Sequence, residues 1–411
     1  MEEVSENRGY QCRKNKDPER GRKRSKSSNF IFELKCRKNK DPERGRLNDY
    51  FYNRFIRDNG GGLIHGDQSI HSRRCLLSYL YVCEQGAVVG ISEERFQVKL
   101  KDEIIRSIPA MTLEVIELFG NVQLTTQCMT RCLRDGINVV FYSTNGSYYG
   151  RLISTNHVNV SRQRKQAELN HDDVFKMEFS KRIITAKIHN QTTLLRRYAR
   201  HRDMDITEEV KDLQRMAARA DHAVTIEELM GYEGFAAKIY FKTLGGKLID
   251  KEFVFHSRTR RPPTDPFNSL ISLGYSIILN EMYGKIEAKG LNPYFGFMHK
   301  DRENHPTLAS DLMEEWRAVL IDSTALSVLN GHELLKDDFY IDDSTGGVLL
   351  KRDAFKKYVA KLETKFQSEM KYLSYVDYAV SFRGAIDLQI NRLVHAVEKS
   401  DTAEYIPIMI R

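Results

Sequence analysis

Between Leu76 and Ile153 the apolar and β-branched residues come in short runs separated by turn residues: SYLYVC, AVVGIS, FQVKLK, EIIRSIP, NVVFYS and SYYGRLIS. Runs this short predict a small antiparallel β unit. One helix interrupts it, from about Gln127 to Arg134, with Gly136 placed to take the left-handed position that ends a helix. From Ser161 onward the period becomes helical, over Val174 to Arg200, Glu208 to Ala220, Tyr232 to Leu244, Phe267 to Lys289 and Ser310 to Leu320. The predicted fold class is α+β: a β-rich, sandwich-like domain at 76–155 followed by an all-α domain at 156–411.

Residues 1–75 show neither period. They hold a near-identical repeat, QCRKNKDPERGR from Gln11 and KCRKNKDPERGR from Lys35. The repeated unit is too short and polar to build a core, which predicts a basic, disordered extension. It reads either as an arm that tracks DNA phosphates or as an appendage. Gly60, Gly61 and Gly62 mark a flexible junction after it.

Charge sharpens this division. The 411-residue chain carries a formal net charge of +8, but residues 1–75 hold 19 basic against 11 acidic side chains and the remainder 45 of each. A polyanion site in the body of the protein must therefore be a local patch. The six cysteines, at 12, 36, 75, 83, 128 and 132, form no zinc-type spacing. Cys128 and Cys132 read as buried small hydrophobes on the predicted helix. No run approaches a membrane span and no signal-peptide pattern is present, so a reduced, cytoplasmic protein is expected.

Candidate chemistry lies in three dispersed blocks. GYEGFAAKIYF carries Glu233 beside an apolar stripe of Tyr232, Phe235, Ala236, Ile239 and Tyr240, which is expected to face the core. Gly234 leaves room there for close approach of a backbone or phosphate. NPYFGFMHKDR carries His299, and DLMEEWR carries Asp311 and Glu314, which share a helix face at i and i+3. Each residue alone has an ordinary reading: a solvated first-turn carboxylate, a packed histidine, an acidic helix start. Together, two carboxylates and an imidazole without a thiolate suit Mg2+ or Mn2+ better than zinc.

The blocks GYEGFAAKIYF, FHSRTRRPPTDPFNSLISLGYSIIL, LNPYFGFMHKDRENHPTLASDLMEEWR and KIHNQTTLLRR occur in the order and form that resemble the CRISPR-associated adaptation endonuclease/integrase family, Cas1. The resemblance covers about residues 76–411, and RTRRPP and the terminal IPIMIR look most like its type I-C branch. It implies that Glu233, His299 and Glu314 hold the metal, with Asp311 as the accompanying acidic residue. Met298 and Trp316 replace the commoner Leu and Phe, a difference expected to affect packing only.

The implied activity is insertion of spacer DNA into the repeat array by phosphodiester transfer to a 3′-hydroxyl, with hydrolytic nicking as the same chemistry using water. The implied partners are protospacer and repeat DNA, a second copy of the chain through the β-rich domain, a Cas2 dimer completing a heterohexamer, and a Cas4 nuclease. A structure-specific DNA repair endonuclease and a catalytically silent DNA-binding scaffold are the alternatives. Arg258, Arg260 and Arg261, stiffened by Pro262 and Pro263, are the leading DNA contacts, with Lys300 and Arg302 beside the His299 block. His305 joins Lys300 and Arg302 as a phosphate contact, and a flexible surface loop explains all three as well. Arg162, Arg164 and Lys165, and Arg196, Arg197, Arg200 and Arg202, are further basic clusters that read first as solvated helix faces. Asn268, Ser272 and Tyr275 share one face of a helix as polar support for the site or as core hydrogen bonds. His157, His171, His189 and His201 lie outside the blocks and are not expected to act in catalysis.

Overall fold

Residues 78–411 are described by the structure, a computed structural model. The expected extension at 1–75 lies outside the described residues. Eight strands come first: β1 (Ser78–Val82), β2 (Val88–Ser92), β3 (Arg95–Leu100), β4 (Glu103–Pro109), β5 (Leu113–Phe119), β6 (Gln123–Leu124), β7 (Asn138–Tyr142) and β8 (Tyr148–Leu152). They make two four-stranded sheets, ordered β1-β5-β7-β8 and β4-β3-β2-β6.

The sheets are mixed, not antiparallel as the pattern predicted: β1 with β5, β5 with β7 and β2 with β6 are parallel pairs. Parallel neighbours need a long crossover. The β2–β4 meander provides one between β1 and β5, and helix α1 (Thr126–Asp135) provides another between β5 and β7. β5, absent from the runs named above, is an inner strand buried over nearly its whole length. Its LEVIELF is interrupted by Glu114 and Glu117, which hides it from an apolar-run reading, yet Glu117 is buried with its neighbours because the strand is covered on both faces.

Alternation along β1, β5 and β7 explains that double burial. Leu80, Val82, Ile116, Leu118 and Val139 point to the second sheet and α1, where they meet Phe96, Val98, Cys128 and Cys132. Tyr79, Tyr81, Val115, Phe119, Val140 and Tyr142 point the other way, into the helical core. The two cysteines are the buried hydrophobes expected of them. Helix α1 is capped by Thr125, whose hydroxyl accepts from the Cys128 amide, and ends on Gly136 at φ 72°.

The helical part comprises α2 (Val160–Asn170), α3 (Asp173–Arg202), α4 (Thr207–Asp221), α5 (Ile226–Thr243), α6 (Pro266–Ala288), α7 (Thr307–Met313), α8 (Ser323–Asn330), α9 (Arg352–Gln367) and α10 (Phe382–Lys399). Two short hairpins also occur there, Phe339–Ile341 with Val348–Leu350 and Glu369–Met370 with Val380–Ser381. Helix α3 spans 30 residues, and α6 is buried on nearly every side. Helix α6 starts at an Asp265 cap with Pro266 in its first turn. None of the described helices is long and apolar enough to cross a membrane.

Two helical expectations are corrected. Ser310 to Leu320 is not one helix: α7 stops at Met313, a turn follows, and a π-helical segment runs over Arg317–Asp322. In α5 the buried residues are Leu229, Ala236, Tyr240 and Thr243, whereas Phe235 is 53% exposed. Phe235 falls two residues, or about 200°, from Glu233 around the helix, so the buried face runs through Glu233 instead.

Candidate metal centre

Asp311 organises the site from beneath. Its carboxylate is fully buried at the C-terminal end of α7, where Oδ2 accepts the amides of Phe297 (2.7 Å) and Met298 (3.0 Å). Oδ1 accepts the His299 amide at 3.1 Å and lies 2.6 Å from His299 Nδ1. Three amides in one small bend can converge on a carboxylate only if the chain approaches closely. A Cβ on Gly296 would sit 2.7 Å from Asp311 Oδ2 and 2.5 Å from Thr307 Cγ2, so glycine is required at that position.

The loop bearing His299 is held from other sides too. Gln166 donates to the Asn292 and Phe295 carbonyls, both at 2.8 Å, and accepts the Asn292 amide. The Phe297 ring packs edge-on against Phe175 and Phe179 from α3, at 5.1 and 5.2 Å. Met298 and Trp316 are buried in the same core, consistent with a packing role.

A carboxylate facing Nδ1 favours the tautomer with its proton there, leaving Nε2 as the free donor atom. His299 Nε2 stands 3.7 Å from Glu314 Oε1. Burial works to lower the basicity of the imidazole, but its bond and charge interaction with Asp311 and the charge of Glu314 raise it on balance. Glu314 follows the end of α7, in the turn that breaks the predicted helix.

Two cations that the sequence reading passed over complete the cluster. Lys187, buried on α3, is hydrogen-bonded through Nζ to Glu233 Oε1 on α5, and the same Nζ lies 2.6 Å from Glu314 Oε2. Arg317 Nη2 lies 2.9 Å from Glu314 Oε1. Burial alone would raise the Glu314 pKa, yet Arg317, Lys187 and His299 outweigh it and hold the carboxyl down to about 2. The ion pair with Lys187 lacks hydrogen-bond alignment, and Glu314 Oε2 is buried without a directed donor. The mark of Lys187 in the sequence is faint: it opens KIHNQTTLLRR amid Ile183, Ile184, Ala186 and Ile188, on a helix whose other lysines and arginines make it easy to pass over. Arg317 had one as well, at i+3 from Glu314.

Glu233 and Glu314 thus share an ammonium, and His299 reaches the group through Glu314. Among the described residues, no three His, Cys, Asp or Glu side chains converge on one point in metal-binding geometry. Gly234 has nothing within 4 Å of where a Cβ would stand, so the room expected beside it is open space within this chain.

Behind Arg317 lies a buried polar pair of tyrosines. Asp322 accepts from Tyr275 at 2.6 Å and from Tyr240 at 2.8 Å, and Arg317 and Arg258 lie over the Tyr275 ring at 4.8 and 5.5 Å. Burial pushes the Asp322 carboxyl up to about 6 despite those two bonds. Asn268 accepts from Arg258 Nη1 (2.9 Å) and the Thr259 amide (3.0 Å) and donates to the Ser257 carbonyl (2.8 Å), tying the arginine loop to α6. Arg258 is therefore an internal fastening, while Arg260, Arg261, Lys300 and Arg302 are exposed. Tyr275 and Asn268 both support the site's surroundings; Ser272 Oγ is buried without a bond.

The remaining candidates fall elsewhere. His305 Nε2 lies 3.0 Å from Ser310 Oγ, and His189 Nε2 lies 2.9 Å from the Ile410 carbonyl. Arg162 pairs with Glu398, Arg197 donates to the Arg411 carbonyl, and Arg202 pairs with Asp250. These arginines fasten the fold.

Comparison with known proteins adds a second line of observation. Residues 80–364 match the family model described as CRISPR associated protein Cas1. A curated relative from Mycobacterium tuberculosis (strain CDC 1551 / Oshkosh), named CRISPR-associated endonuclease Cas1, is 34% identical over 331 residues, covering 80% of this chain and 97% of that protein. A CRISPR-associated exonuclease Cas4/endonuclease Cas1 fusion from Geobacter sulfurreducens is 34% identical over 323 residues, covering 76% of this chain and 56% of the fusion. Among solved structures, a Cas6-RT-Cas1–Cas2 complex superposes with a TM-score of 0.70 at 25% identity. That match covers 84% of this chain and 37% of the other.

Proposed function

The chain belongs to the CRISPR-associated Cas1 family and is a DNA endonuclease and integrase of CRISPR adaptation; we propose that its chemistry runs at Glu233, His299 and Glu314 with a divalent cation, Mg2+ or Mn2+. The observation that carries this reading is the orientation of His299: Asp311 holds Nδ1 at 2.6 Å and turns Nε2 toward Glu314. A histidine fixed through one nitrogen by a buried carboxylate is how metal-ligating imidazoles are aimed.

The donor set fits a hard cation, since two carboxylates and an imidazole are present without a thiolate. Glu314 Oε2, buried beside the Lys187 ammonium at 2.6 Å, is the oxygen that such an ion would take. When bound, such an ion would polarise a phosphoryl oxygen and lower the pKa of an attacking hydroxyl or water. The chain's own groups do the rest. Asp311 holds a proton on His299 Nδ1, so Nε2 is the nitrogen whose lone pair a bound ion would take. Arg317 keeps Glu314 ionised and places a fixed positive charge beside the phosphate. Arg260, Arg261, Lys300 and Arg302 offer exposed charge to the DNA backbone.

The attacking group determines the outcome. A DNA 3′-hydroxyl gives insertion of a spacer into the repeat array, and water gives a nick. We further assign residues 76–155 to homodimerisation and 156–411 to catalysis. The partners are a Cas2 dimer and a Cas4 nuclease, supported by the Cas2-containing complex and the Cas4 fusion described above, and with Cas4 goes the type I-C assignment. The protein works in the cytoplasm, where the array lies. Strand transfer into repeat-containing DNA with Mn2+ tests the site: His299→Ala and Glu233→Ala should each abolish it. Wild-type rates in either variant would remove these residues from the reaction.

A further inference from the structure

Lys187 occupies the place a metal would need. Its ammonium is hydrogen-bonded to Glu233 and lies 2.6 Å from Glu314 Oε2, so it bridges the two carboxylates that the proposed function gives to the cation. Lys187 and Arg317 together also balance their charge. The third carboxylate, Asp311, is turned away and satisfied by three backbone amides and an imidazole.

Electrostatics then sets a condition on metal binding. Lys187 and Arg317 already offset Glu233 and Glu314, so adding a divalent cation leaves positive charge in excess in a nearly buried site even with Asp311 counted, which is costly. Expelling the ammonium without a new partner is costly for the same reason. A phosphodiester removes both difficulties, because its negative charge offsets part of the ion's and its non-bridging oxygens accept from an ammonium. The lysine's flexible four-carbon stem allows that exchange, whereas the planar Arg317 fork stays on Glu314.

We propose that Lys187 is a displaceable counter-ion: without DNA it bridges Glu233 and Glu314 and keeps metal affinity low, and with DNA bound its ammonium moves to a phosphate oxygen and frees both carboxylates for the ion. This makes Lys187 a positioning residue that couples metal binding to substrate binding. The inference rests on the metal-site reading given above.

The coupling is measurable without turnover. Free Mn2+ is followed by electron paramagnetic resonance in titrations of the full chain, alone and with a DNA duplex blocked by 3′-dideoxy ends, after subtraction of Mn2+ held by the duplex alone. Wild-type protein should bind Mn2+ roughly tenfold more tightly with DNA, and by linkage bind DNA more tightly with Mn2+ by the same factor. Lys187→Met, which keeps the length and removes the charge, should bind Mn2+ tightly without DNA and gain little from adding it. Equal wild-type affinity with and without DNA overturns the proposal, and needs no variant. So does a Lys187→Met protein that titrates like wild type. If Glu233→Gln and His299→Ala retain wild-type Mn2+ binding, the metal-site reading itself fails, whatever Lys187 does.

Discussion

Asp311 Oδ1 and His299 Nδ1 lie 2.6 Å apart, and the carboxylate that makes this contact also gathers the amides of residues 297 to 299. One side chain therefore sets both the path of the loop and the face that its histidine presents. In Asp311→Asn, one of the two oxygens becomes an amide donor and must meet either a backbone N–H or the imidazole proton. Strand transfer should fall about 10- to 100-fold, the cost typical of losing such an outer contact to a metal-ligating histidine. DNA affinity measured without metal should stay near wild type. A variant with undiminished strand transfer would show that His299 does not depend on this bond.

Adjacent glutamates in DLMEEWR sit in opposite environments, which gives a pH signature. Glu314 is held down to about 2 because its cationic partners outweigh burial. Glu315 is also buried, but its neighbours are Tyr405, Gln389 and the Ile408 amide, and burial pushes it up to about 8. A raised carboxyl keeps its proton in the folded chain while the unfolded chain releases it near 4.5. The Glu315 contribution to stability is therefore lost as pH rises from about 4.5 to 8, by at most about 1.4 kcal/mol per pH unit. Glu315→Gln mimics the protonated form and should become progressively more stable than wild type in urea unfolding from pH 5 to pH 8. Parallel curves for the two proteins would contradict the assignment.

Some of this site was legible in the chain and some was not, for separable physical reasons. Glu233, His299, Asp311 and Glu314 are the positions to which the family's motif blocks point, because those blocks keep residue types at fixed spacing. Lys187 escaped because a lysine on a 30-residue helix reads as solvated until its two carboxylate partners, 46 and 127 positions away in sequence, are brought to it. The break after Met313 was invisible to helical periodicity, since Glu314 to Trp316 continue an acceptable helical pattern and only packing forces them out of it. Among the strands, the runs were found but not their direction. Parallel pairing of β1 with β5 depends on where the meander between them lies, and no local pattern records that.

The arginine loop should divide by function. Arg258 is bonded to Asn268 and lies over Tyr275, so Arg258→Ala should lower the melting temperature, corresponding to roughly 1.5 to 3 kcal/mol for a lost hydrogen bond to a charged group. Arg260 and Arg261 are exposed, and their joint replacement by alanine should leave melting unchanged. If each neutralises one phosphate, that double variant should flatten the plot of log affinity against log salt by about 1.8. An unaltered salt slope would take both arginines out of the DNA interface.

The largest stability effect is expected where the β-rich part meets the helices. Arg383 on α10 is buried between Glu281 (2.9 Å) and Glu363 (2.6 Å), and its guanidinium lies 3.5 Å from the centre of the Tyr79 ring on β1. Tyr81 of the same strand donates to Glu363 at 2.9 Å, so this ionic cluster spans the seam between sheet and helices. Removing the cation alone, in Arg383→Met, leaves two buried carboxylates without a cationic partner and should cost about 3 to 5 kcal/mol. Neutralising all three, with Glu281→Gln and Glu363→Gln added, should recover much of that loss, because the penalty comes from the unpaired charges and not from a large net gain in the intact cluster. Urea unfolding of the single and triple variants separates the two cases. A triple variant as unstable as the single one would mean that the cluster contributes directional bonds across the seam that neutral groups cannot replace.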